Sequence, residues 1–298
     1  MKTNRNYMIK IITALVFLFI LISLWLFFYE PPYNGDIQSD ETLLIAHRGF
    51  GNYAPDNTLS AIKSAIDYGL GGVDLDSQLT KDEELIIFHD PKLDRLTNGT
   101  GVIRDKTLEE LKRIDAGYGF HKNFTNDKIL TLDEMIKEVN GEILMIVELK
   151  SAKIKSEGIE EKAVKAIQEN NAYNNVYLSS FNPFVIYRIE KIDNKVNTVF
   201  IFRDIVPNDP TQFAKIPFFL KKESFRKAIR KIIKPDFLSI EITVKDDTII
   251  QLQNKGYPIF LWPPNTKKEI QLSLDRKPFG LITDEPISAL NISGEKNG

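Results

Sequence analysis

Eight short apolar runs rich in β-formers recur along the chain with amphipathic stretches between them, and few folds accommodate that rhythm. The runs are 43–46 (LLIA), 72–76 (GVDLD), 143–149 (ILMIVEL), 176–180 (VYLSS), 198–202 (TVFIF), 237–241 (FLSIE), 258–262 (PIFLW) and 280–283 (GLIT). A ninth, 85–88 (LIIF), lies so close behind the second that it pairs with it or extends it. Apolar spacing predicts helices over 57–68, 107–114, 131–140, 158–171, 183–191, 223–233, 247–255 and 267–274. Asp133 and Glu134 in a first turn, and Asn182-Pro183 before another, are ordinary helix-start signals. Strands alternating with helices pair in parallel, and continuously apolar strands imply a sheet covered on both faces. The 258 residues from Glu41 to Gly298 suit an α/β (β/α)8 TIM barrel, which usually needs about 250.

The polar residues favour a closed barrel over an open sheet. His47 follows the first run, Asp74 and Asp76 end the second, and His89 follows 85–88. Glu148 and Lys150, Ser179 and Ser180, Glu241 and Asp284 end later runs. Barrel enzymes build their active sites at the C-terminal ends of the strands. A doubly wound sheet would also place ligands there, but usually with a glycine-rich phosphate loop after strand one. The sequence at that point is HRGFGNYAPDNT, without G-x-G-x-x-G.

From Ile11 to Tyr29 the chain carries no charge, long enough to cross a hydrocarbon core of about 30 Å as one helix. Lys2, Arg5 and Lys10 precede it and Glu30-Pro31-Pro32 ends it, which predicts a cytoplasmic N-terminus with the remainder outside. A cleaved signal peptide is the competing reading. Its apolar region is usually shorter, ~7–15 residues, and LFFYEPP offers no A-x-A-like cleavage site, so an uncleaved anchor over residues 1–30 is expected. Residues 31–40 have linker composition, and 41–298 form the barrel.

Three of the 39 basic residues precede the span, which leaves the exported part with a charge of about −5 against 41 acidic residues. That balance excludes a nucleic-acid binder, which needs a basic face. The absence of cysteine excludes disulfides, zinc–thiolate sites, thiol catalysis and a lipidated-cysteine anchor. No obligate protein partner is evident.

A lone histidine is usually structural, but His47 and His89 stand among carboxylates on one predicted barrel face. Two imidazoles there serve as a general acid and base. Asp74 and Asp76 are two apart on a strand and point to the same side, where they would repel without a cation between them. With Glu148 they make an oxygen donor set that suits one hard divalent cation, Mg²⁺ or Ca²⁺, the latter favoured by an extracellular location. A salt bridge with Lys150 or Arg48 is the structural alternative for Asp76 and Glu148. Arg48 offers a planar fork for phosphate. Metal, guanidinium and two imidazoles describe a site for a phosphate ester.

These residues resemble the glycerophosphodiester phosphodiesterases over essentially the whole segment from Leu43 to Pro286. IAHRG at 45–49, APDNT at 54–58, VDLD at 73–76 and LT-x-D at 79–82 are similar to the family's motifs. So are IIFHD at 86–90, LDRLTNGTG at 93–101, VELK at 147–150, SSF at 179–181, Trp262 and LITDEP at 281–286. The resemblance implies an eight-stranded barrel that hydrolyses glycerophosphodiesters to glycerol 3-phosphate and an alcohol. It implies His47 and His89 as the acid–base pair, Arg48 and Lys150 at the phosphate, Asp76 and Glu148 as metal ligands, and Trp262 at the substrate.

The chain departs from the family at Asp56 and Asp74, where glutamate is usual, and at WPPN (262–265). Each aspartate draws its carboxylate back by about 1.5 Å, which favours a larger ion or a displaced one. Asp56 is equally readable as a site residue or, with Asn57, as the N-cap of helix 57–68. Two alternative functions follow: a lysophospholipase D or hydrolase of glycerophosphate-containing envelope polymers, held near lipid by the anchor, or an impaired barrel that only binds phosphodiesters. His121 is expected on a solvated loop. IPFFLKK (216–222) is expected to fill the core, with contact to the bilayer as the alternative, and 221–234 to form a basic helix face. The leaving alcohol, and which histidine is the acid, stay open at this level.

Overall fold

The structure is a computed structural model that describes residues 2–28, 33, 41–121, 124, 126–204 and 222–296. Eight strands run in parallel: β1 (Leu43–Ala46), β2 (Gly72–Leu79), β4 (Leu144–Leu149), β5 (Val176–Ser180), β6 (Thr198–Phe202), β7 (Phe237–Glu241), β8 (Ile259–Trp262) and β9 (Gly280–Thr283). They close on themselves, because β1 pairs with β2 on one side (Ile45 opposite Gly72) and with β9 on the other (Leu44 opposite Leu281). This is the expected TIM barrel. The ninth run, β3 (Leu85–Ile87), pairs antiparallel with the far end of β2, Ser77 opposite Ile87, and forms no barrel stave.

Two hydrophobic layers hold the barrel. Ile45, Ile146, Val199, Phe237, Phe260 and Ile282 fill its interior. A larger shell between strands and helices includes Val73, Leu75, Val147, Leu178, Leu238 and Leu261. Strand residues alternate between the two, so Asp74, Asp76, Glu148, Ser179, Glu241 and Trp262 share the inward parity at the C-terminal mouth.

The outer helices are α2 (Leu59–Asp67), α3 (Leu108–Leu111), α4 (Leu132–Val139), α5 (Ile159–Glu169), α6 (Pro183–Ile192), α7 (Glu223–Ile233), α8 (Asp246–Asn254), α9 (Lys267–Asp275) and α10 (Pro286–Lys296). Thr107/Glu110, Thr131/Glu134 and Thr266/Glu269 form reciprocal capping boxes at α3, α4 and α9. Two helix expectations are corrected. The helix expected over 107–114 is a single turn. The one expected from 57 starts at Leu59, capped by Thr58, whose hydroxyl accepts from the Ala61 amide at 3.2 Å. Asn57 has φ +61 and cannot join a right-handed helix, and neither Asp56 nor Asn57 is the cap.

Between β3 and α4 the chain leaves the barrel and makes a satellite core of Phe88, Leu93, Ile103, Leu111, Ala116 and Ile129. His121 lies there, exposed as expected. The cations of 221–234 are less solvated than their sequence suggests. Arg226 and Arg230 on α7 are each 1 % exposed and bond Asp204 at 2.7 Å and Glu223 at 2.5 Å. The patch 216–221 and, apart from Tyr33, the linker 31–40 lie outside the described residues.

The N-terminal segment is one helix, α1 (Lys2–Phe28), with a 19-residue apolar stretch from Tyr7 to Trp25 that is long enough to span a membrane or to serve as a signal sequence. It lies against α7, where the Lys231 ammonium donates to the Trp25 carbonyl at 2.7 Å.

Candidate active site

The first turn after β1 sets the site. Arg48 is held at φ +53 and Gly51 at φ +57, a conformation that L side chains adopt at a cost. At Gly51 a Cβ would stand 2.3 Å from the Asp284 carbonyl oxygen, so the loop after β1 and the loop after β9 touch through bare backbone. That contact brings Asp284 to His47, with Oδ1 2.6 Å from Nδ1. Asn265 fixes the same carboxylate, donating to Oδ2 at 2.6 Å and accepting from the Asp284 amide at 3.0 Å. Burial alone lowers the His47 pKa, but the Asp284 hydrogen bond, helped by Asp74, raises it overall.

His89 is held in the same way. Its Nδ1 lies 2.6 Å from Asp90 Oδ1, and Arg95 fixes that carboxylate with two hydrogen bonds of 2.7 and 2.8 Å. Burial opposes ionisation of Asp90, yet Arg95 and His89 hold it well below the usual carboxylate range. Arg48 Nη2 stands 3.0 Å from His89 Nε2. A guanidinium only donates, so the network assigns the Nε2 lone pair to that bond and the proton to Nδ1.

Arg48 joins the two histidine systems. Its Nη1 donates to Asp56 at 3.0 Å, which places Asp56 in the site. Its Nε is buried, 3.9 Å from Asp76 Oδ2, with no hydrogen-bond acceptor among the described residues. A buried guanidinium N–H left in this way has capacity for one further oxygen.

The carboxylates occupy the floor. Lys150 Nζ lies 2.8 Å from Asp76 Oδ1 and 3.0 Å from Glu148 Oε2, and Asn57 donates to Asp76 Oδ2 at 3.0 Å. Burial would raise the Asp76 pKa, but Lys150, His89 and Arg48 hold it well below the carboxylate range. Asp74 is the opposite case. Burial, reinforced by Asp76 and Glu148, pushes it up to about 8, although His47 and Lys150 pull the other way. Asp74 accepts no hydrogen bond from the described residues; its nearest ionic partner is His47 Nε2, at 3.9 Å.

Among the described residues no three His, Asp or Glu side chains are spaced to ligate a metal, and Lys150 already bridges two of the expected ligands. The donor chemistry nevertheless fits a hard divalent cation. Three carboxylates gather at one pole, and the one farthest from compensating charge is driven toward its protonated form, which a cation would reverse.

Every sequence-predicted site residue therefore lies at the C-terminal mouth. Trp262 stands across it, edge-to-face with Phe181 at 5.8 Å. The sequence reading missed Asn57, Asp90, Arg95 and Asn265 and gave Asp284 no role. Asp90 directly follows His89, a usable signal, whereas Asn57 reaches Asp76 only through a left-handed turn that no pattern announces.

The Glycerophosphoryl diester phosphodiesterase family model matches residues 47–288. A glycerophosphodiester phosphodiesterase of Caldanaerobacter subterraneus is 32% identical over 253 residues, covering 85% of this chain and 98% of that protein. One from Bacillus altitudinis is 31% identical over 257 residues, 85% of this chain and 99% of that protein. Among solved structures, an Oleispira antarctica phosphodiesterase in complex with the product sn-glycerol-3-phosphate has the same fold, with TM-score 0.70 and 23% identity over 85% of this chain and 96% of that one.

Proposed function

Since the chain belongs to the glycerophosphoryl diester phosphodiesterase family and is a phosphoric diester hydrolase, we propose that it hydrolyses glycerophosphodiesters to glycerol 3-phosphate and an alcohol at this mouth. The observation that carries the reading is the Arg48 guanidinium, with one N–H on a histidine and another buried without an acceptor. A phosphoryl oxygen supplies that acceptor and comes beside both imidazoles.

Arg48 and Lys150 bind and orient the phosphate. The His89 Nε2 lone pair takes a proton from the attacking water as its oxygen bonds to phosphorus. His47, whose pKa is raised beside Asp284, gives a proton to the alcohol oxygen as the phosphorus–oxygen bond breaks. Asp284 and Asp90 keep each ring in the tautomer these roles need. A calcium or magnesium ion held by Asp74, Asp76 and Glu148, with Asp56 at the Arg48 side, would stabilise the charge that develops on the phosphoryl oxygens.

The 1–30 segment is read as a single-pass anchor with its N-terminus in the cytoplasm, 31–40 as a linker and the 41–298 barrel outside. Protease added to intact cells then degrades the barrel and spares the N-terminus; a protected barrel reverses the topology.

The test is glycerol 3-phosphate release by the full chain in detergent micelles. Glycerophosphocholine, glycerophosphoethanolamine, glycerophosphoglycerol and lysophospholipid are offered with EDTA, Mg²⁺, Ca²⁺ or Mn²⁺, beside H47A and H89A. Cation-dependent release lost in both variants supports the reading, and lysophosphatidate as the sole product moves it to a lipid substrate. Silence with every substrate and ion sinks it.

A further inference from the structure

Resting on that reading, the inference concerns the side of the mouth the proposed chemistry leaves unused. His47, Arg48, Asp76, Glu148 and Lys150 come from β1, β2 and β4, one arc of the barrel. The opposite arc, at the ends of β5 to β8, carries Ser179, Phe181, Arg203, Glu241 and Trp262. A diester has two alcohols, and with its phosphate on the first arc one of them reaches toward the second.

Arg203 is a buried cation there, 7 % exposed. Its guanidinium carbon lies 5.2 Å from the Phe181 ring centre and 5.9 Å from that of Trp262, and its Nη1 is 3.8 Å from Glu241 Oε1. Thr243 donates to the other Glu241 oxygen at 2.5 Å. The base of Arg203 is pinned as well, since Arg226 donates to its backbone carbonyl at 2.8 Å. Beside this group, the Trp262 indole nitrogen and the fully buried Ser179 hydroxyl have no hydrogen-bond partner among the described residues.

Two aromatic faces and a carboxylate would ordinarily make a cage for a quaternary ammonium. Here the chain's own guanidinium stands over those faces, so a cationic alcohol meets like charge. What remains is an indole donor, a hydroxyl, guanidinium donors and a carboxylate acceptor. That set matches an alcohol whose hydroxyls both accept and donate.

We propose that Arg203, with Trp262, Ser179 and Glu241, makes this arc a pocket for a hydroxyl-rich alcohol and selects polyol diesters over choline diesters. A pocket built for hydroxyls rejects an analogue without them by leaving buried polar groups unpaired.

The experiment compares kcat/KM of the full chain in micelles for glycerophosphoglycerol, glycerophosphoinositol and glycerophosphocholine. The polyol diesters are expected to be favoured by about tenfold or more. Arg203→Met, which keeps a stem on the aromatic faces but removes charge and donors, is expected to lower the polyol rates, raise the choline rate and bring the ratio near one. Glu241→Gln, close in shape, lowers the polyol rates alone. Equal turnover of all three diesters by the unaltered chain overturns the proposal without needing a variant, as does an equal loss on all three in a folded Arg203→Met. Hydrolysis of none of them overturns the underlying reading, and this inference with it.

Discussion

The Lys150 ammonium lies 2.8 Å from Asp76 Oδ1 and bridges it to Glu148, so the most buried pair of acids in the site is neutralised by the chain itself. Breaking a buried pair by removing one partner leaves an uncompensated charge, typically a loss of about 3 kcal/mol. Lys150→Met is therefore expected to lower the unfolding midpoint by several degrees and abolish turnover. Ca²⁺ is expected to raise that midpoint more in the variant than in the parent, by taking the ammonium's place between the carboxylates. A calorimetric scan with and without Ca²⁺ checks this, and an unchanged midpoint contradicts the bridge.

Asp284→Asn removes the charge that orients His47 while nearly preserving shape. The expected outcome is a fall of roughly 10²–10⁴-fold in kcat/KM with little change in stability, because the site loses a tautomer and not a packing contact. Steady-state rates beside a thermal melt separate the two effects. Parental activity would remove Asp284 from the site's machinery.

Gly51→Ala tests the backbone contact that delivers Asp284. A Cβ 2.3 Å from the Asp284 carbonyl oxygen, at φ +57, has to push the two loops apart. A cost of about 2 kcal/mol or more is expected. Turnover should fall further than stability alone explains, since the displaced loop carries the partner of His47. An alanine variant with parental melting and rate would show that the loops yield freely.

Glu190 on α6 gives a pH signature away from the site. Burial, with Asp236 nearby, raises its pKa from 4.5 to about 7. Between those values the folded chain holds a proton that the unfolded chain has lost, so stability falls as pH rises through this window. Glu190→Gln keeps the acceptor for Thr198 and removes the titration. Its melting midpoint should match the parent near pH 4 and exceed it by a few degrees at pH 8. Equal midpoints at both values would mean that water already solvates this carboxylate.

The barrel was legible because each stave is a short apolar run and each run ends in a polar residue; alternation along β2 alone places Asp74 and Asp76 on one side. Partners set by closure were less visible. Asp284 follows the last stave and His47 the first, and only the ring of strands makes them neighbours. Asn57 was hidden for a local reason. Its left-handed φ ends the turn before α2 and turns its amide onto Asp76, whereas composition suggested a helix cap. Arg226 and Arg230 read as solvated because a basic run carries no sign of the acids that bury it, Asp204 and Glu223.

The pairing of β1 with β9 also imposes an order in time. A chain emerging from the ribosome, or threading outward through a membrane, presents His47 long before the segment that carries Asp284 exists beside it. Until the final strand docks, the histidine has no carboxylate on Nδ1, and the loop at Gly51 has nothing to rest against. Catalytic competence therefore arrives as the last act of folding rather than growing with length, and a partly exported chain has no working acid with which to cleave the diesters around it.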